Sequence, residues 1–330
     1  MPTDLLKGKG FYLWKIPLCE GGDPARIAMA AYEAGYSHVL IKISDGVKAY
    51  NEGLVEPLVT ALRALSISPW GWQYTYGTLP EVEASLAAEL VAEYELDGFD
   101  IDAEAEYKTA GAQERAERYM GRLTQKMPSS VPIALASYRF PSYHPEFPFA
   151  TFLRGCDVAM PQMYWQGAHN PRAQLKQCLA EYKQFGKPVV PSGAAFREHG
   201  WQATGADVTE FMNACVEFGL AGANFWEWGN AKKYAFDCWQ AAGEFAWSEA
   251  EKTTTEPEEP VAGESLAARV LVNGLRVRSG PGLAYPIIDS LAAGQKVAVY
   301  GVDGSDVWVE IGSGQWSALR RGSTQYMEME

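Results

Sequence analysis

Gly98-Phe-Asp-Ile-Asp-Ala-Glu104 is the stretch on which the fold turns, because acidic and apolar residues alternate along it with a period of two. That is the period of a β-strand, and on a strand Asp100, Asp102 and Glu104 share one face while Phe99, Ile101 and Ala103 share the other. Strand-like apolar runs recur on both sides of it. They are FYLWK (Phe11 to Lys15), HVLIKI (His38 to Ile43), WGWQYTY (Trp70 to Tyr76), IALASY (Ile133 to Tyr138), VAMPQMY (Val158 to Tyr164), PVVPSGA (Pro188 to Ala194) and GANFWEW (Gly222 to Trp228). Between them lie segments such as PARIAMAAYEAG and EVEASLAAELVAEYE, whose apolar residues return at i, i+3 and i+4, the spacing of a helix with one buried face. Eight strands alternating with helices in about 250 residues predict an α/β chain with a (β/α)8 barrel, in which the apolar face of each strand meets the helices.

The 330 residues, 47% of them hydrophobic and rich in Trp, Tyr and Phe, exclude a disordered, collagen-like or coiled-coil chain. Acidic residues outnumber basic ones 41 to 28, for a formal charge of -13, and no Lys/Arg block offers a footprint for phosphate. Nucleic acid and membrane surfaces are therefore not expected partners. The opening MPTDLLKGKGFYLWK has neither an apolar core nor a small-residue cleavage site, so a chain made in the cytoplasm without a signal peptide is expected. Cys19, Cys156, Cys178, Cys215 and Cys238 contain no C-x-x-C pair and read as reduced, mostly buried thiols. No His/Cys cluster has metal-ligand spacing, and neither a metal nor a cofactor is expected. One composition break divides the chain: SEAEKTTTEPEEPVAGES, residues 248–265, has nothing to bury and reads as an acidic linker between a barrel over 1–247 and a domain over 266–330.

The C-terminal ends of barrel strands face the active site. Three carboxylates gathered there repel one another and lose hydration, so one or more should hold a proton at neutral pH, as a general acid must. DGFDIDAE, Asp97 to Glu104, resembles the D-x-x-D-x-D-x-E strand of glycoside hydrolase family 18, the chitinase-like enzymes. The resemblance implies that Glu104 protonates the glycosidic oxygen and that Asp102 orients the substrate's 2-acetamido group as nucleophile. Asp100 would share a proton with Asp102, and Asp97 would be structural. PQMYW resembles the family's sixth-strand segment and implies that Tyr164 hydrogen-bonds the acetamido carbonyl, with Gln162 or Met163 beside it; Trp226 matches the Trp that floors the sugar subsite. Strand three departs from the family, with Trp70-Gly71-Trp72-Gln73 in place of S-x-G-G, and so does Ala103. The first half is also similar to glycoside hydrolase family 25, the lysozyme-like muramidases, through AAYEAGYSHVLIKISDG and the Asp102-Ala-Glu104 pair.

Trp14, Lys15, Trp72, Tyr74 and Trp201 could extend a sugar-binding groove or fill the barrel. His38, in an apolar strand, reads as a core histidine, whereas His144, His169 and His199 lie in loops that could line a cleft. By alternation Glu227 points away from the face of Trp226 unless the strand has already ended, and it is not the expected acid. Past the linker, ARVLV, LRVRS, KVAVYG, WVEIG and QWSAL are short β runs between Gly, Pro and Asp turns, a small all-β barrel. Asn273 to Gly301 is similar to bacterial SH3 domains through Leu275, Val277, Pro281, Gly282, Tyr285, Ile288, Leu291 and Gly294, with Trp316 fitting a later position. That resemblance implies anchoring to the cell wall through 266–330.

Together these resemblances point to an endolysin-like glycoside hydrolase acting on a polysaccharide of N-acetylated amino sugars, peptidoglycan or chitin-like, and reaching the wall after release or lysis. Two other readings stay open: a chitinase-like endoglycosidase and a catalytically silent sugar-binding protein.

Overall fold

Eight parallel strands close on themselves in a computed structural model of the chain, which describes residues 6–247, 267–278, 286–298, 301–303, 308–312, 315–318, 320–321 and 324–329. They are β1 (Gly8–Leu13), β2 (His38–Asp45), β3 (Ser68–Thr75), β4 (Gly98–Ala103), β5 (Ile133–Tyr138), β6 (Val158–Met163), β7 (Ser192–Ala194) and β8 (Gly222–Trp226). Each pairs with its neighbour in sequence, and β8 pairs with β1 to complete the barrel. The expected (β/α)8 barrel is present. Regular pairing in β7 is shorter than PVVPSGA suggested: it starts at Ser192, after a single bridge from Val189 to Ala159. Pro188 and Pro191 have no N–H to give a ladder, which accounts for the shortening.

Around the strands run α1 (Pro24–Glu33), α2 (Val55–Ala64), α3 (Pro80–Glu93), α4 (Ala112–Lys126), α5 (Phe149–Arg154), α6 (Pro171–Tyr182), α7 (Gly205–Glu217), α8 (Trp228–Tyr234) and α9 (Phe236–Glu244). Local chemistry sets their starts. Asp23 caps α1 by accepting from the Ala25 and Arg26 N–H groups, and Thr204 with Asp207 forms a reciprocal capping box on α7. The odd-numbered strand residues, such as Phe11, Val39, Phe99, Ile101, Leu135, Ala159 and Phe225, pack outward into the main core between strands and helices.

The even-numbered ones fill the barrel in depth. At the bottom His38 Nε2 donates to Asn224 Oδ1 while its Nδ1 lies 2.9 Å from Ser37 Oγ, so the buried ring has a partner at both nitrogens, as a core histidine should. Gly98 is required beside it: a Cβ there would sit 2.3 Å from the Trp70 ring that plugs the base. Above them Tyr12, Leu40, Trp72 and Met160 form a second apolar cluster, and the top layer is where the polar side chains stand.

The chain divides into two compact units, Met1–Glu251 and Lys252–Glu330. In the second, Ala267–Val270 pairs antiparallel with Lys296–Ala298 and Met327–Met329. Leu275–Arg278 pairs with Ile287–Leu291 and Gln315–Ala318, and Trp308–Gly312 with Gly301–Asp303 and Gln315–Ala318. Ala268, Val270, Leu275, Val277, Leu291, Val309 and Met327 make its core, so Leu275, Val277 and Leu291 pack inward whereas Ile288 is exposed. The linker expected at 248–265 and the positions Pro281, Gly282 and Tyr285 lie outside the described residues.

Candidate active site

β4 delivers its three acids to one face, as alternation requires, at successive depths. Asp100 is fully buried, Asp102 is 5% exposed, and Glu104, one residue past the strand end, is half-buried at the mouth. The Tyr12 hydroxyl donates to Asp100 Oδ2 at 2.8 Å, leaving Oδ1 without a partner. Gln162 Nε2 reaches from β6 to bridge two acids, 3.1 Å from Asp102 Oδ1 and 2.9 Å from Glu104 Oε1.

Burial pushes the Asp100 carboxyl up to about 7, against the hydrogen bond from Tyr12 that favours the anion. Asp102 is held well above the usual carboxylate range, by burial first and then by the charges of Glu104 and Asp100, with Lys42 pulling the other way. A carboxyl biased toward its protonated form thus sits beside Glu104, the two joined through Gln162. Asp100, whose charge also acts on Asp102, is engaged at its other side by Tyr12.

Tyr164, immediately after β6, is placed against the same acids: burial and the charges of Asp102, Glu104 and Asp100 all raise its phenol. Its carbonyl accepts from Arg139 Nη1, and its ring meets Phe196 edge-on at 5.3 Å, which fixes its direction. On β8, Trp226 is half-buried over a stack of rings, 5.5 Å from Tyr12, 5.4 Å from Trp72 and 6.2 Å from Trp14. β8 lies four strands from β4 in either direction around the barrel, so Trp226 and Glu104 stand at the C-terminal ends of opposite strands.

Depth and direction correct two expectations, Met163 and Trp72, and give Glu227, which was not the expected acid, its role. Met163 is odd-numbered and fully buried in the outer core, so of the Gln162/Met163 pair only Gln162 reaches the acids. Trp72 is buried, its Nε1 donating to the Leu13 carbonyl at 3.3 Å; it supports Trp226 from below and offers no face to a sugar. Glu227 follows the end of β8 and spends both carboxylate oxygens capping α8 through the Gly229 and Asn230 N–H groups. Tyr74, half-buried, does reach the mouth, where its hydroxyl donates to Glu106 Oε2 at 2.8 Å. Asp97 is structural, as expected: at the far end of β4 it accepts from Ser68 and Arg63.

The loop histidines separate. His144 stacks on Tyr138 with Lys108 alongside, His169 pairs with Asp207, and His199 is in the turn of a hairpin that carries Trp201. The five cysteines are free and buried. Sequence reasoning missed Tyr12 and Lys42. Both stand at inward, even positions of apolar strands, and the same alternation that found the acids would have found them. Lys42 is boxed by Trp72 and Tyr50, each 4.8 Å from its ammonium, and paired with Asp45 at 2.9 Å. Among the described residues no group of three or more His, Cys, Asp or Glu is arranged to hold a metal ion.

A chitinase from Bacteroides thetaiotaomicron superposes with a TM-score of 0.59 at 11% identity, covering 76% of this chain and 100% of that one. The barrel is chitinase-like in fold. The Bacillus cereus spore cortex-lytic enzyme SleL matches with a TM-score of 0.55 at 10% identity over 75% and 76% of the two chains. A plant class V chitinase mutant from Cycas revoluta, solved in complex with (GlcNAc)3, matches with 0.56 at 12% over 71% and 99%. The glycoside hydrolase family 18-like architecture expected from β4, β6 and β8 is thus the architecture found. Residues 273–321 match the family model described as Bacterial SH3 domain. No curated protein matches the chain.

Proposed function

We propose that the barrel is a glycoside hydrolase that cleaves a polymer of N-acetylated amino sugars, bacterial peptidoglycan above all, with Glu104 as general acid and the substrate's own acetamido group as nucleophile. One observation carries this reading: three acids from one strand stand inside the mouth at graded depth, bridged by Gln162 and with Trp226 at the end of the opposite strand. A sugar stacked on Trp226 presents its apolar C–H face to the ring and its glycosidic oxygen toward Glu104. Glu104 gives its proton to that oxygen as the bond to the anomeric carbon breaks, and the acetamido oxygen closes on the same carbon. Asp102 orients the acetamido N–H and meets the positive charge that develops there. For that it must be an anion. Asp100, poised near 7, can take the proton that Asp102 gives up as it turns from Glu104 to the substrate. Tyr164 donates to the acetamido carbonyl as charge grows.

The substrate class is supported by a cortex-lytic enzyme and a (GlcNAc)3 complex among the proteins of like fold. The SH3 match supports attachment to the wall through residues 266–330, which raises the effective concentration of the barrel at an insoluble substrate. Action on the wall after release or lysis belongs to the same proposal. A chitinase-like endoglycosidase is the second reading, favoured by the chitinases of like fold.

Two substitutions test the roles. Glu104→Gln cannot deliver a proton and should lose roughly 10² to 10⁴-fold in kcat while still binding the glycan. Asp102→Asn should be comparably slow. An aryl glycoside with a good leaving group needs little protonation, so it should partly rescue Glu104→Gln and leave Asp102→Asn slow. Rescue of both, or of neither, would remove the division of labour proposed here.

A further inference from the structure

A recess of about 460 Å³ opens beside the Trp226 platform, lined by Trp14, Lys15, Glu227, Asn230, Lys233 and Tyr234 among others. Its size falls within the roughly 300–1,000 Å³ of small-molecule sites. Trp14 joins it to the mouth, since the Trp14 ring stacks on Trp226 at 6.2 Å and 30°. β8 stands opposite β4, and the recess lies past β8 and β1; it is therefore beyond the sugar on Trp226 and on the side away from Glu104.

Its charge is unlike that of the rest of the chain. Lys15 lies over the Trp14 ring at 4.3 Å and Lys233 over Tyr234 at 4.8 Å, and among the described residues neither has a carboxylate at ion-pair distance. Lys232, also in the lining, is matched by Glu20 at 3.0 Å. Glu227 is the acid of the lining; it feels the charge of Lys15, but its two oxygens are taken by the N–H groups of Gly229 and Asn230. In a chain of net charge -13 the recess thus presents two cations and aromatic walls to whatever enters it.

We propose that this recess is a glycone-side subsite for a carboxylate-bearing sugar unit, with Lys15 and Lys233 binding the carboxylate and Trp14 and Tyr234 packing the ring. The proposal rests on the glycosidase reading and deepens it. Chitin has no carboxylate; the muramyl units of peptidoglycan have one on the lactyl ether or, where the stem peptide is attached, on the peptide. The subsite therefore selects between the two polymers.

The test compares kcat/KM of the full chain on soluble peptidoglycan glycans carrying free lactyl carboxylates, on the same glycans amidated, and on peptide-bearing fragments with and without amidation. The wild type should prefer the carboxylate form of at least one pair. Lys15→Gln/Lys233→Gln should lower that preference by at least about tenfold, the least expected when two charge-assisted hydrogen bonds are lost. Lys15→Arg should retain it. A loss confined to the peptide-bearing pair assigns the carboxylate to the stem, and a loss in the lactyl pair to the ether. An equal preference in wild type and double variant overturns the subsite and leaves the glycosidase reading standing. If no glycan is cleaved by the wild type, the glycosidase reading fails instead, and calorimetric binding of the same pairs decides the subsite: discrimination lost in the double variant supports it, and absence of discrimination in the wild type overturns it.

Discussion

Asp100 ionises at an energetic cost that can be measured. Its ordinary value near 3.8 is raised to about 7 by burial. Below both values the folded and unfolded chains carry the same proton; between them only the unfolded chain gives it up, so stability falls as pH rises from about 4 to about 7 and the loss is complete above that. The full difference is about 4 kcal/mol. Asp100→Asn keeps an acceptor for Tyr12 and has no charge to bury. It should therefore be more stable than the parent above pH 7, with the advantage disappearing below pH 4, as read from urea midpoints at several pH values. A constant difference across that range would mean that burial does not raise Asp100 above its ordinary value. Its inward placement was legible because GFDIDAE alternates cleanly, and the same periodicity separates Gln162 from Met163. Depth was not legible. Trp72 and Tyr74 share a face, and only the layered filling of the closed barrel decides that one is buried and the other reaches the mouth.

At the scale of elements, β1 is tied to the end of the barrel domain by one side chain. The Lys9 ammonium shares its three N–H groups among four carbonyls at 2.9–3.0 Å, that of Ala34, after α1, and those of Ala242, Gly243 and Phe245 at the end of α9. Lys9→Met keeps the length and removes the donor, leaving buried acceptors unmet; a loss of about 3 kcal/mol and of roughly 5–10 °C in Tm is expected. An unchanged Tm would show that the carbonyls find other partners. Nothing in KGKGFYLWK announces this, since three of the four partners are more than two hundred residues away. The eight strands were legible from apolar runs and helical periodicity because each βα unit is local. The end of β8 was not: FWEW continues the strand pattern, and the cap that Glu227 makes on α8 stops it at Trp226. α3 holds a similar surprise. Glu83 is buried and accepts from Thr75 Oγ1 and from the Tyr76, Gly77 and Leu79 N–H groups, shaping the loop after β3 from what reads as a solvent-facing helix position.

For the whole molecule, each unit has its own hydrophobic core, so removing one need not unfold the other. Deleting residues 266 to 330 should leave turnover of short soluble oligosaccharides nearly intact and lower activity on whole walls, because tethering helps only with an insoluble substrate. Equal loss on both would mean that the small domain completes the site. The composition break at 248–265 made the division legible; the wall as its proposed target came only through the SH3 resemblance, because a small β barrel does not fix its ligand. The central claim is that Glu104 drives cleavage of a glycan of N-acetylated amino sugars. Mass spectrometry of products from purified peptidoglycan and from chitin oligomers tests it most directly. The account predicts new reducing-end amino sugars with the wild type, their identity distinguishing glucosaminidase from muramidase, and almost none with Glu104→Gln. Products released by Glu104→Gln at the parent rate, or none from either polymer with the wild type, would contradict it.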